Sequence, residues 1–157
     1  MGYISNYITH NLGGKMSNIP RGIRNNNPGN IRWGSNWSGL DPRGKEKDKS
    51  FCVFLEPVWG IRALVKLLLN YKRIYGLNTV NEIINRYAPT NENDTNSYAI
   101  HVARVLDVCA DEEIDIYKSE IMMKLVKAII MHENGVMPYD DDLLKHSLTL
   151  AGIVCEV

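Results

Sequence analysis

Along most of this chain apolar residues recur at three- and four-residue intervals, and the polar stretches between carry helix start and stop signals. Val58, Ile61, Leu64, Val65 and Leu68 form one stripe. It predicts a helix with Pro57 in its first turn, running to about Tyr75 and stopped by Gly76. Thr79-Val80-Asn81-Glu82 is a capping-box pattern opening a second helix through Ile83, Ile84 and Tyr87, which Pro89 ends. After a polar loop from Thr90 to Thr95, Asp94 or Thr95 caps a third helix bearing Tyr98, Val102, Val105 and Leu106. A fourth, from about Tyr117 to Asn134, has its apolar face at Met122, Leu125, Val126, Ile129 and Ile130. The last spans Asp140 to Ala151, with acidic residues at its positive end.

The amino-terminal third reads differently. Residues 1–20 carry little pattern and are expected to form a polar, poorly ordered extension. From Arg21 to Ser50 the chain is dense in Gly, Asn, Pro and Ser, with Pro28-Gly29 suited to a tight turn. Trp33 and Trp37 inside this loop imply that it is packed. Lys45 to Lys49 reads as an exposed turn and Phe51 to Leu55 as a short strand. The expected fold class is mainly α (α+β): four or five helices with a small loop or hairpin lobe, forming one domain over residues 21–157.

Composition narrows the function. The 157 residues suit a single domain, and a hydrophobic fraction of 45% suits a globular one. The formal net charge is +0, which argues against a nucleic-acid partner bound through its phosphates and fits a neutral partner such as a glycan. Cys52, Cys109 and Cys155 are odd in number and form no CxxC pair, so neither a disulfide framework nor a cysteine zinc site is expected. They read as three partly buried thiols in a protein made in the cytoplasm. No apolar run is long enough to span a membrane, and Met1 to Lys15 lacks the pattern of a secretory signal. No HExxH, P-loop or dinucleotide fingerprint occurs, so neither a metal nor a cofactor is expected.

The residue that carries chemistry is Glu133. It follows Ile129 by four residues and Ile130 by three, and so continues the buried stripe of the fourth helix. A carboxyl at the rim of a core, in a last turn where free carbonyls make the field negative, keeps its proton to higher pH. That is what a general acid requires. A glutamate in a final turn is also commonly a solvated surface group, and the spacing alone leaves both readings open.

The segment Ala128-Ile129-Ile130-Met131-His132-Glu133-Asn134-Gly135 resembles the helix end of lytic transglycosylases and lysozyme-like muramidases. Asn25-Asn26-Asn27-Pro28-Gly29-Asn30-Ile31-Arg32, Trp37-Ser38-Gly39, Phe51 to Leu55 and Gly60-Ile61-Arg62-Ala63-Leu64 are similar to the portion that follows this Glu in glucosaminidase-type domains. The run from Arg21 to Tyr139 also resembles small phage lytic proteins. Motif order is reversed, since the Glu helix here follows the Asn-rich turn. The resemblance therefore implies a circularly permuted lysozyme-like domain in which the two meet.

It further implies that Glu133 protonates the leaving oxygen of a β-1,4 bond between amino sugars of peptidoglycan. Glu92 is the leading candidate for a second carboxylate, with Asp94 and Glu56 behind it, although a transglycosylase needs none. Tyr87, Tyr98 and Tyr139 are candidate cleft residues, Trp37 (like Trp33) a candidate sugar platform, and Asn27 and Asn30 candidate acetamido binders; core-edge packing, loop anchoring and turn geometry are the competing roles. A peptidoglycan endopeptidase on the same scaffold and a non-catalytic wall-binding or virion structural protein are the alternatives. The expected partners are peptidoglycan and the virion or secretion-machine proteins that deliver the chain to the cell wall.

Overall fold

The computed structural model describes residues 18–88 and 92–155, with the side chains of 92 and 93 excepted. The described residues are mainly helical. The helices are α1 (Arg21–Arg24), α2 (Gly44–Lys47), α3 (Pro57–Tyr75), α4 (Val80–Tyr87), α5 (Glu92–Leu106), α6 (Ser119–Asn134) and α7 (Asp141–Leu150). The extension expected over residues 1–20 lies, except for 18–20, outside the described residues, as does Pro89.

The local signals act as read. Pro57 is the first helical residue of α3, and Gly76 closes it in the left-handed conformation (φ 66°), its N–H bonded to Lys72 O. The Thr79 side chain accepts from Glu82 N at 3.1 Å. The reciprocal arm of the capping box reaches one residue early, with Glu82 Oε1 accepting from Asn78 N at 3.5 Å. Asp140 caps α7 by accepting from Leu143 N at 2.8 Å. In α5, by contrast, the helix already includes Glu92, so Asp94 and Thr95 sit within it rather than capping it, and the expected loop is shorter. Thr95 instead donates its hydroxyl to Ala88 O at 2.5 Å, tying α5 back to α4.

The predicted apolar stripes of α3 and α6 are all buried. α3 packs most extensively on α7, α5 on α6 and α4 on α5. One hydrophobic cluster runs from Ile19 to Ile153, with Ile61, Leu64, Leu125 and Ile129 fully enclosed at its centre. No helix among the described residues is long and apolar enough to cross a membrane.

Three expectations are corrected, two of them in the loop lobe. Residues 51–55 form no strand, only isolated antiparallel bridges, Arg32 to Phe51 and Leu40 to Phe54. Their backbone bonds alternate between two curled neighbours: Cys52 N donates to Ile31 O and Phe54 N to Asn25 O, whereas Leu55 N donates to Gly39 O. Curled partners cannot run alongside long enough to build a ladder. The Lys45–Lys49 turn is mostly the short helix α2, and it ends at a buried residue, Asp48. The thiols also differ from one another: Cys52 is fully buried, and burial pushes its thiol up to about 11, Cys155 is half-buried, and Cys109 is exposed.

Candidate functional site

The site begins where α6 ends. Ile129 and Ile130 lie fully in the core, and Gly135, left-handed at φ 73°, stops the helix with its N–H on Met131 O at 2.7 Å. This leaves Glu133 half-buried at the core edge. Its Oε1 accepts from Asn30 Nδ2 at 3.0 Å, across 103 residues of sequence. The next residue, Asn134, donates to Pro28 O at 2.8 Å and to Ile130 O at 2.9 Å. Two consecutive side chains thus clamp the turn at residues 28–30 against the helix end.

The turn itself is built by asparagine amides standing in for missing strand partners. Asn27 is fully buried; its Oδ1 accepts from Ile31 N, and its Nδ2 donates to Ile31 O and Cys52 O. Asn26 donates to Phe54 O at 3.1 Å. Asn26 and Asn30 hold left-handed backbone at φ 52° and 51°, which asparagine tolerates better than most residues. Close approach does the rest. A Cβ on Gly60 would lie 1.8 Å from Asn26 O, so only glycine lets α3 meet this turn.

Between the turn, α3 and the end of α4 opens a cleft of about 460 Å³, lined by Glu133, Asn30, Arg32, Phe51, Tyr71 and Tyr87 among others. The Tyr87 hydroxyl donates to Gly29 O. Burial foremost, with Glu133 and Tyr71 nearby, raises its pKa well above the ordinary tyrosine value, so it stays a neutral donor. Tyr98 stands behind, only 3% exposed, with its ring edge-on to Tyr87 at 6.5 Å. Its hydroxyl is turned toward Glu133 without meeting good hydrogen-bond geometry, and burial, then Tyr87 and Glu133, push its ionisation far upward. The other face of the Tyr98 ring system is His132, stacked at 3.6 Å and 20°. Loss of hydration lowers the His132 pKa, with Glu133 and Asp94 opposing and His101 reinforcing. His132 therefore faces Tyr98 while Glu133 faces Asn30, the divergence expected of helix neighbours. Among the described residues no three His, Cys, Asp or Glu come together as a metal site.

Of the residues singled out in the sequence, Glu133, Asn30 and Tyr87 share the cleft, and Tyr98 supports it from inside. Three do not line it. Asn27 has every amide atom engaged within the protein, which makes it a scaffold residue rather than an acetamido binder. Tyr139 is buried at 5% exposure, and Trp37 packs half-buried against the core elsewhere. Trp33 is a loop anchor, its indole N–H on Asp48 O at 2.9 Å. The Glu92 side chain lies outside the described residues, and Glu56 is exposed and away from the cleft.

Arg32, Phe51 and Tyr71, to which the sequence pattern assigned no site role, also line the cleft, and Asp48 organises the lobe. Tyr71 was findable, since it follows Leu68 by three residues on the same stripe. Asp48 was not, because it lies between lysines in a charged run.

No family model matches the chain. Over 134 residues it is 37% identical to Protein P5 of Pseudoalteromonas phage PM2, covering 83% of this chain and 81% of that protein.

Proposed function

The chain belongs to the family of Protein P5 of Pseudoalteromonas phage PM2, and from that premise we propose that it is a phage enzyme cleaving the β-1,4 glycosidic bond of peptidoglycan by general acid catalysis from Glu133. The observation that carries the reading is the Asn30–Glu133 hydrogen bond at the wall of an open cleft. It joins the two motifs whose order is reversed relative to lysozyme-like enzymes, as a permuted lysozyme-like domain requires. Asn30 holds one carboxyl oxygen, and the carboxyl still lines the open cleft where a substrate can reach it.

In the proposed reaction the Glu133 carboxyl gives its proton to the glycosidic oxygen as the C1–O bond breaks. Among the described residues Glu133 is the only carboxylate lining the cleft. A transglycosylase needs no second carboxylate: in this single-acid route the sugar's own 6-hydroxyl attacks C1 and returns its proton to Glu133. The product is then an anhydro sugar. Tyr87 and Tyr98 keep their protons, so neither sets a competing negative charge beside Glu133. The kinship with a phage protein makes delivery to the cell wall as part of the virion a further part of this proposal.

Digestion of purified peptidoglycan, followed by mass analysis of the products, tests it. Anhydro ends are expected; new reducing ends would keep the glycosidase and replace the single-acid route with hydrolysis. A freed peptide amine would make the protein an endopeptidase, and an intact polymer that binds the protein would make it a wall-binding or structural component.

A further inference from the structure

Acid catalysis leaves one feature of the cleft unused. Among the described residues only two charged side chains line it, Glu133 and Arg32, and no ion pair joins them. The exposed Arg32 guanidinium has neither a carboxylate nor a hydrogen-bond acceptor among the described residues; it lies over the Phe51 ring at 4.6 Å from the centroid.

That platform is fixed. The Arg32 and Phe51 backbones are bridged, and the Phe51 ring also carries Arg21 at 4.5 Å, itself gripped by Asp48 through two hydrogen bonds of 2.6 and 2.7 Å. A guanidinium stacked on an aromatic ring keeps its N–H edge available, and that edge matches a carboxylate in shape and charge. With a formal net charge of +0, the molecule as a whole does not draw anions in, so any preference for one arises locally.

We propose that Arg32 is the subsite for a carboxylate borne by the substrate, so that the cleft takes an acidic, muramyl-type glycan in preference to a neutral chitin-like strand. The proposal rests on the glycan reading of the cleft. Two sources can supply the carboxylate: the stem peptide, or the lactyl group of a strand whose peptide has been removed.

Binding to full-length Glu133→Gln protein, measured by calorimetry, separates these cases. The ligands are a peptide-bearing muropeptide oligomer, the same oligomer stripped by an amidase to free lactyl carboxylates, and chitotetraose. At least one acidic ligand should bind more tightly than chitotetraose, and the one that does identifies the source. Adding Arg32→Gln should weaken that ligand about tenfold and leave chitotetraose within about twofold. Arg32→Lys should restore part of the loss, and raised salt should narrow the preference. Equal affinity for acidic and neutral ligands, an equal loss on chitotetraose, or no loss with Arg32→Gln would overturn the subsite. Failure of the glycosidase reading is seen separately, as wild-type protein that creates no new glycan ends. Arg32-dependent binding of an acidic ligand would still uphold the subsite in that case, and absence of any binding would overturn it.

Discussion

Asp48 and Glu133 are both held by asparagines of one short segment, Asn25 and Asn30, and they end in opposite circumstances. Asp48 accepts five hydrogen bonds, two from Arg21 and one each from Asn25, Ser50 N and Phe51 N, and its side chain is 4% exposed. Those donors, Arg21 foremost, hold its carboxyl well below the usual carboxylate range. Glu133 accepts one hydrogen bond of good geometry among the described residues, and it faces a cleft. A carboxylate whose lone pairs are all occupied is committed to the fold, whereas one held at a single point is available to a ligand. The difference separates a carboxylate sealed into the fold from one open to a ligand, without reference to any relative.

The sharpest way to break this comparison is Glu133→Gln. The amide keeps the shape and cannot donate the proton that the proposed reaction needs, so peptidoglycan cleavage should fall by about a thousandfold or more while circular dichroism and melting stay near wild type. Full lytic activity in the folded variant would remove Glu133 from the chemistry. Asp48→Asn should do the reverse, costing about 2 kcal/mol in chemical denaturation, with turnover per folded molecule little changed at low temperature. That cost sits below the range for a fully buried pair because the Arg21 side chain is 46% exposed.

The same pair predicts a pH signature. The folded-state pKa of Asp48 is depressed, so its contribution is complete above the unfolded value of 3.8 and is lost as pH falls below it toward the folded value. Denaturation at pH 5 and pH 2.5 should show wild type losing more stability than Asp48→Asn between these points. An equal loss would show that Asp48 is not tightly held.

Two smaller changes sharpen the contrast at the asparagines. Asn30→Gly preserves the left-handed backbone at φ 51° and deletes the amide, so kcat should fall about five- to tenfold with the fold intact. Asn25→Ala removes one of Asp48's five donors and should cost about 1 kcal/mol of stability, with no change in kcat. A kcat effect at Asn25 as large as that at Asn30 would erase the distinction between the two carboxylates.

The helices were legible because their signals are local. Stripes on α3 and α6, the Thr79 and Asp140 caps and the Gly76 and Gly135 stops each depend on residues within a turn or two. The start of α5 was misread because Asp94 and Thr95 are good caps in isolation, while Thr95 spends its hydroxyl on Ala88. The strand at Phe51 to Leu55 was misread because β-prone residues need a straight partner, and here the neighbours curl. At the site, Glu133 was visible from periodicity, but Asn27 and Asn30 were indistinguishable by type. One is a sealed brace and the other faces the cleft.

The sequence by itself determined where the helices lie, which faces they bury, and that a carboxyl sits at the end of a core stripe, because period and capping act over a few residues. Only the tertiary structure decided which groups that carboxyl meets. Bringing Asn30 to Glu133, and Arg32 into the same cleft, takes contacts more than a hundred residues apart in the case of Asn30 and Glu133. Such contacts follow from how whole helices and a glycine-lined turn pack, and no local pattern encodes that.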